Sequence, residues 1–280
     1  SSDLDPGLHA TSDAAHALEG ADLVILAVPA QATREVAHEF ASLVRPGTPV
    51  VSAAKGLEHG THATMTEVIA AEMPQAVPAV LSGPSFATDV ARGLPTAVTV
   101  AAGDMATAEA IGRALSSPSF RPYASADLVG VQIGGALKNV LAIASGIVAG
   151  RGLGASAQAA LTARGFAELS RLGRRLGAEP ETLMGLSGLG DLVLTATSPQ
   201  SRNFSLGLAI GGGGTVGDLV RHGTKLAEGV HTASVAVEFA AAQGVELPIT
   251  AAVADVVAER LGVDAAIESL MSRPLKRETA

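Results

Sequence analysis

Between Leu128 and Val148 the chain carries a single ionisable residue, Lys138, in the run Leu-Val-Gly-Val-Gln-Ile-Gly-Gly-Ala-Leu-Lys-Asn-Val-Leu-Ala-Ile-Ala-Ser-Gly-Ile-Val. The run is long and apolar enough to be a buried helix, and a lysine inside it needs a reason. Burial costs an ammonium several kcal/mol and lowers its pKa, so it must meet carboxylates or an anionic ligand, or serve as an acid that titrates near neutrality. Two plainer readings compete. The lysine could snorkel to the surface, or the run could cross a membrane, with Gly130-x-x-x-Gly134 as a packing motif. A central lysine costs about 3 kcal/mol on insertion scales, and Gln132 and Asn139 add to it, so no span is assigned.

Length and composition narrow the class. At 280 residues with 48% hydrophobic content, the chain suits two domains with a sizeable core. It has no cysteine, which excludes disulfides and thiolate metal sites and fits a cytoplasmic protein. Ser1-Ser-Asp-Leu-Asp-Pro-Gly7 has neither a basic nor an apolar stretch, so no signal peptide is read there. A net charge of -8, one tyrosine and no tryptophan argue against nucleic acid, which needs a cationic footprint and stacking platforms. An anionic ligand would be held by a few placed cations against the overall field.

Asp22-Leu-Val-Ile-Leu-Ala-Val28, Pro49-Val-Val-Ser-Ala-Ala54, Ala79-Val-Leu-Ser82 and Ala97-Val-Thr-Val-Ala-Ala102 are short apolar runs without two-residue alternation. Such strands are covered on both faces, as in a parallel sheet. Helical patterns at 32–44 and 61–72 lie between them, giving a doubly wound α/β half over residues 1–125. From Asp127 onward only helical patterns occur, among them 156–176, 225–243 and 251–261, so residues 126–280 form an all-helical half.

Lys55-Gly56 follows one strand and Ser82-Gly83-Pro84-Ser85-Phe86 another, at the carboxyl edge where open α/β sheets receive ligands. Gly188-Leu-Gly190-Asp191 places an acid after two glycines, as if backbone passed close to a ligand. Ser201-Arg202-Asn203 offers a guanidinium fork with hydroxyl and amide donors, suited to phosphate. Taken singly, Lys55 is a loop lysine, Gly83-Pro84 a turn, Asp191 a helix cap and Arg202 a surface residue; together they suggest a phosphorylated or carboxylated ligand. His59 and His62 have a spacing used by metal ligands, but no third ligand accompanies them and no metal is assigned.

Six ordered segments carry a family resemblance: Ala53-Ala-Lys-Gly-Leu-Glu58, Leu81-Ser-Gly-Pro-Ser-Phe-Ala87, Gly135-Ala-Leu-Lys-Asn-Val140, Gly188-Leu-Gly-Asp-Leu192, Ser198-Pro-Gln-Ser-Arg-Asn203 and Ala227-Glu-Gly-Val230. They resemble the bacterial-type NAD(P)-dependent glycerol-3-phosphate dehydrogenases, which interconvert dihydroxyacetone phosphate and sn-glycerol 3-phosphate for glycerophospholipid synthesis. The resemblance implies a Rossmann-type half followed by a helical substrate domain, with NAD or NADP as cofactor. It implies Lys138 as the catalytic lysine. Lys55, Gly83, Ser85, Asp191, Ser201, Arg202 and Asn203 match substrate-binding positions, with Lys138 itself, Asn139 and Thr195 as further polar contacts. Lys55, Ala87, Arg202, Leu226 and Glu228 match cofactor-binding positions. Asp191 would hold Lys138, while Lys55 and Arg202 would neutralise the phosphate.

One departure stands out. The family begins with a strand and a Gly-x-Gly-x-x-Gly turn that holds the cofactor pyrophosphate, and no such turn follows a strand here. Gly150-x-Gly152-x-Gly154, Gly188-x-Gly190 and Gly211-Gly-Gly-Gly214 read as loops and caps. A first βα unit is therefore missing from the sequence as given, either because Ser1 is not the start of the whole chain or because the cofactor cradle is truly lacking. Two alternatives stay open: a related hydroxyacid or ketopantoate-type dehydrogenase, and a non-catalytic binding remnant. The choice between NAD and NADP is not readable, and the apolar helical half would tolerate a homodimer interface.

Overall fold

The computed structural model describes residues 7–222 and 227–275. Along the chain run α1 (Ala14–Leu18), β1 (Val24–Leu26), α2 (Thr33–Phe40), β2 (Pro49–Ser52), α3 (Met65–Glu72), β3 (Val77–Ser82), α4 (Ala87–Ala91), β4 (Thr96–Ala102), α5 (Met105–Leu115) and β5 (Phe120–Ser125). Helices follow: α6 (Leu128–Gly150), α7 (Ala155–Arg175), α8 (Pro180–Met184), α9 (Asp191–Thr197), α10 (Arg202–Gly211), α11 (Val216–Arg221), α12 (Glu228–Ala242), α13 (Pro248–Val257) and α14 (Val263–Met271).

The five strands lie side by side in sequence order. Apolar strands cover both faces as the sequence requires: Val50 and Leu26 pack with Ala37 and Ile69 on one face, while Val51, Ala79 and Val100 meet Ala108 and Ile111 of α5 on the other. The sheet is not wholly parallel. β1, β2 and β3 run together, but β4 runs antiparallel to β3, and β5 is parallel to β4. The chain reverses after β3, and Gly83 is pressed against β4: a Cβ there would sit 2.9 Å from the Val98 Cα.

β5 is the strand that apolar runs fail to reveal, because Phe120-Arg-Pro-Tyr-Ala-Ser125 alternates in exposure and Arg121 stacks over the Tyr123 ring. The expected helix at 32–44 narrows to α2 with a tight 3-10 turn at each end. α3 starts later than expected, after a capping box in which the Glu67 carboxylate accepts from the Thr64 N–H at 2.8 Å.

α6 is the axis of the molecule. The Asp127 carboxylate caps it, accepting from Gly130 N at 2.7 Å and from Glu179 N at 2.8 Å. It is the one helix among the described residues long and apolar enough to cross a membrane, and 89% of its most apolar window is covered by protein. Ile133, Leu137 and Ile143 are fully buried, each worth about 1.5–3 kcal/mol of transfer free energy. The Gly130/Gly134 pair serves this packing: a Cβ on Gly134 would lie 2.9 Å from the Ser187 carbonyl.

The other end of α6 interlocks with α10. Cβ atoms on Gly146 and Gly150 would fall 2.1 and 2.2 Å from the Phe204 and Leu208 carbonyl oxygens. Reciprocally, those on Gly207 and Gly211 would fall 2.1 and 2.3 Å from the carbonyls of Ile143 and Ile147. The two backbones touch, so only glycine fits. Gly150 and Gly211 therefore belong to a helix interface and not to loops, whereas Gly152, Gly154 and Gly213 have the positive φ of turn residues.

Candidate active site

Lys138 does not snorkel. It is 5% exposed, and its Nζ donates to Asp191 Oδ1 at 2.9 Å, while Lys55 Nζ donates to Asp191 Oδ2 at 2.7 Å. One buried carboxylate thus bridges two ammonium groups from opposite halves of the chain. Burial, reinforced by the Lys55 charge and opposed by Asp191, pushes the Lys138 pKa down to about 8.

Asp191 owes its aim to a π-helical turn at Leu186–Gly190. A Cβ on Gly188 would lie 1.9 Å from the Leu183 carbonyl oxygen, so this glycine permits the wide turn. Nor does Asp191 cap a helix. It is the first residue of α9, its carboxylate is turned to the lysines, and Thr195 Oγ1 donates to its backbone carbonyl at 2.7 Å. Thr195 thereby steadies the acid.

Lys55 leaves the end of β2 and also donates to the Gly83 carbonyl at 2.9 Å, an oxygen that Ser85 Oγ shares at 3.1 Å. The phosphate role expected for Lys55 is thus accompanied by a second one, because its ammonium is committed to Asp191. Its stem runs over Gly135, where a Cβ would stand 2.7 Å from Ser82 Oγ and 3.5 Å from Lys55 Cγ. Asn139 Nδ2 donates to the Lys55 carbonyl at 3.2 Å, Asn203 Nδ2 donates to Asn139 Oδ1 at 2.9 Å, and Gly229 N donates to Asn203 Oδ1 at 2.9 Å.

Ser201 caps α10, its Oγ accepting from Phe204 N at 3.3 Å. Arg202, the first residue of α10, is exposed and makes no hydrogen bond or ion pair with the described residues. Ala87 opens α4 and is exposed, without a polar link to the lysine cluster. Glu228 opens α12, with Oε1 buried and lacking a hydrogen-bond partner among the described residues. Burial raises its pKa, against the pull of the Ala30 N–H and of Lys138, Arg202 and Lys55. Leu226 lies outside the described residues. Among the described residues, Lys55, Lys138 and Arg202 are set against Asp191 and Glu228, so the site is locally cationic in a chain of net charge -8.

Sequence reasoning gave no individual role to Ala30, Ser82, Gly135 or Gly229. Ala30 contributes a backbone N–H and Gly135 and Gly229 contribute space, none of which residue chemistry announces. Ser82 Oγ and Ser187 Oγ are buried without partners among the described residues. The two histidines diverge: His62 Nε2 stands 3.4 Å from Glu238 Oε2, and the His59 backbone N–H donates to Gln31.

Comparison with known proteins meets this geometry from the other side. The family model described as NAD-dependent glycerol-3-phosphate dehydrogenase N-terminus matches residues 1–108, and the corresponding C-terminus model matches residues 127–268. The glycerol-3-phosphate dehydrogenase (NAD(P)+) of Rhodopseudomonas palustris strain BisB5 is 58% identical, covering 98% of this chain and 83% of the relative. That of Bradyrhizobium sp. strain BTAi1 is 62% identical, covering 96% and 80%. A crystal structure of glycerol-3-phosphate dehydrogenase (gpsA) from Coxiella burnetii superposes with a TM-score of 0.88 at 38% identity, covering 93% of this chain and 80% of that one. A PanE/ApbA family ketopantoate reductase from Ralstonia eutropha shares the fold alone, with a TM-score of 0.55 at 16% identity. Matched along both halves, and built around a lysine that its own helix cannot explain, the chain belongs to the NAD-dependent glycerol-3-phosphate dehydrogenase family.

Proposed function

We propose that Lys138 is the proton donor and acceptor in the NAD(P)-dependent interconversion of dihydroxyacetone phosphate and sn-glycerol 3-phosphate. The observation that carries this is a lysine buried on an apolar helix, paired to Asp191, with a pKa lowered to about 8. In reduction, negative charge gathers on the substrate carbonyl oxygen, and the Lys138 ammonium delivers its proton there; in oxidation, the neutral amine takes the proton from the hydroxyl. Asp191 holds both lysines in register, and Lys55 lowers the pKa of its neighbour.

Residues 1–125 would carry most of the cofactor site and residues 126–280 most of the substrate site. Arg202 reaches the substrate phosphate with its guanidinium fork. Ser201, Asn203, Asn139, Thr195, Gly83 and Ser85 shape the same pocket. Lys55, Ala87, Arg202, Leu226 and Glu228 would hold the nicotinamide cofactor, and the unpartnered Glu228 Oε1 is an acceptor that such a polar ligand fits. When bound, the cofactor supplies or accepts the hydride. We further propose a cytoplasmic setting, supported by the cysteine-free composition, and a homodimer, supported by exposed apolar side chains such as Val193 and Leu208; sedimentation velocity reads the latter.

The test is Lys138→Ala. Turnover with dihydroxyacetone phosphate should fall at least about 100-fold with the circular dichroism spectrum unchanged, and near-normal turnover would sink the assignment. Lys138→Arg should restore little, because a guanidinium does not titrate near neutrality.

A further inference from the structure

We infer that Asn203 is a positioning residue that caps α12 from a neighbouring helix and thereby fixes the Glu228 carboxylate beside the lysine pair. α12 has no side-chain cap of its own, since its N-cap residue is Ala227. The free N–H of Gly229, at the second position of the helix, is accepted by Asn203 Oδ1 at 2.9 Å, which is the bond a native cap would make.

The amide of Asn203 is oriented by its other end. Its Nδ2 donates to Asn139 Oδ1, and Asn139 Nδ2 donates to the Lys55 carbonyl. The direction of donation leaves Oδ1 of Asn203 facing α12, so the relay runs from the Lys55 backbone to the α12 N-terminus through two amides. A second observation points the same way. A Cβ on Gly229 would lie 2.6 Å from Asn203 Oδ1 and 2.8 Å from the Asn139 carbonyl oxygen, so the first turn of α12 is seated directly on this relay. Glu228 is the residue before Gly229, and its carboxyl reaches Gly56, the neighbour of Lys55: Glu228 Oε1 is 3.4 Å from where a Gly56 Cβ would stand. Losing the cap frays the turn that carries Glu228.

This inference deepens the proposed function by giving Asn203 a task besides touching substrate, and its test is made on the ligand-free full chain so that it is read independently of activity. Amide hydrogen exchange at Gly229 and the titration of the Glu228 side-chain carboxyl are followed by NMR in wild type, Asn203→Ala and Asn203→Asp. In Asn203→Ala, Gly229 exchange should accelerate at least about tenfold, the scale of a lost cap, and the raised Glu228 pKa, set against Lys138, Arg202 and Lys55, should return toward that of an ordinary carboxylate. Asn203→Asp keeps an acceptor for Gly229, so exchange there should stay near wild type, while its added negative charge should raise the Glu228 pKa instead of lowering it. Unchanged exchange in Asn203→Ala overturns the cap, and faster exchange with an unmoved Glu228 titration overturns the positioning. If Asn203→Ala does not fold, Asn139→Ala decides: it removes the acceptor that orients the Asn203 amide, so Gly229 exchange should accelerate, and unchanged protection refutes the relay.

Discussion

Replacing Asp191 by Asn removes one negative charge and leaves the two ammonium groups 2.9 and 2.7 Å from a neutral amide. A charge pair at such a separation is worth about 5–6 kcal/mol at an effective dielectric of 20, and breaking buried pairs typically costs about 3–5 kcal/mol. Divided by about 1.4 kcal/mol per pKa unit, the loss moves Lys138 from about 8 downward by roughly two to four units, toward pH 4–6. The assay is kcat/KM for dihydroxyacetone phosphate reduction across pH. In wild type the rate should decline as pH rises through about 8, where Lys138 loses its proton; in Asp191→Asn that decline should shift to the acidic side, with at least about a 25-fold loss at pH 7.5. A limb that stays near 8 while activity falls uniformly would mean that Asp191 orients Lys138 without setting its charge. Stability supplies a second reading. The wild-type Lys138 pKa lies below its ordinary 10.5, so the unfolded chain binds more protons between the two values. Stability should therefore rise by about 3 kcal/mol from pH 8 to 10.5, measured by denaturant unfolding.

Arg202→Ala should raise the Michaelis constant for dihydroxyacetone phosphate far more than for dihydroxyacetone, because a charge-assisted fork to phosphate contributes about 1.5–3 kcal/mol; equal effects on both would remove Arg202 from the phosphate site. Gly207→Ala forces a methyl to within 2.1 Å of the Ile143 carbonyl oxygen and should cost about 1–3 kcal/mol or more, so an unchanged melting temperature would contradict the α6–α10 contact. Glu168, buried on α7, accepts from Ile249 N, Thr250 N and Thr250 Oγ1 at the start of α13, and Glu168→Gln should lose about 1–3 kcal/mol by facing an amide donor to these donors. Burial raises the Glu168 pKa, so the folded chain binds the extra proton, and stability falls as pH rises from the ordinary carboxylate value through the raised one. Stability curves of the Gln variant should lack that slope.

Lys138 was legible because hydropathy and charge disagree at one position, and its partner Asp191 because an acid follows two glycines. The first four strands followed from runs of apolar residues, and the helical half from helical patterns. What stayed hidden has a common physical origin. The reversal at β4 depends on how the chain turns after Gly83, β5 on an alternation in exposure that carries no apolar run, and the Asn139–Asn203 relay on amides whose partners are backbone atoms far away in sequence. Glycines were misread for a similar reason. A glycine that frees φ, as at Gly154, and one that admits a neighbouring backbone, as at Gly150, look the same in sequence.

The glycine interlock of α6 and α10 makes the site a ruler. Gly146, Gly150, Gly207 and Gly211 each face a carbonyl of the opposing helix, so small axial slips bring Cβ-bearing neighbours into backbone, and the next equivalent seating is a full turn away, about 5.4 Å. Lys138 is set on one edge of this ruler and Arg202 on the other. The span between the proton and the guanidinium is thereby held in discrete steps, and a substrate one carbon longer than glycerol 3-phosphate cannot be met by a gradual adjustment of these helices. Variants selected for longer phosphorylated alcohols should accordingly carry their changes in the loops around Lys55 and Ser85, leaving all four interlocking glycines in place.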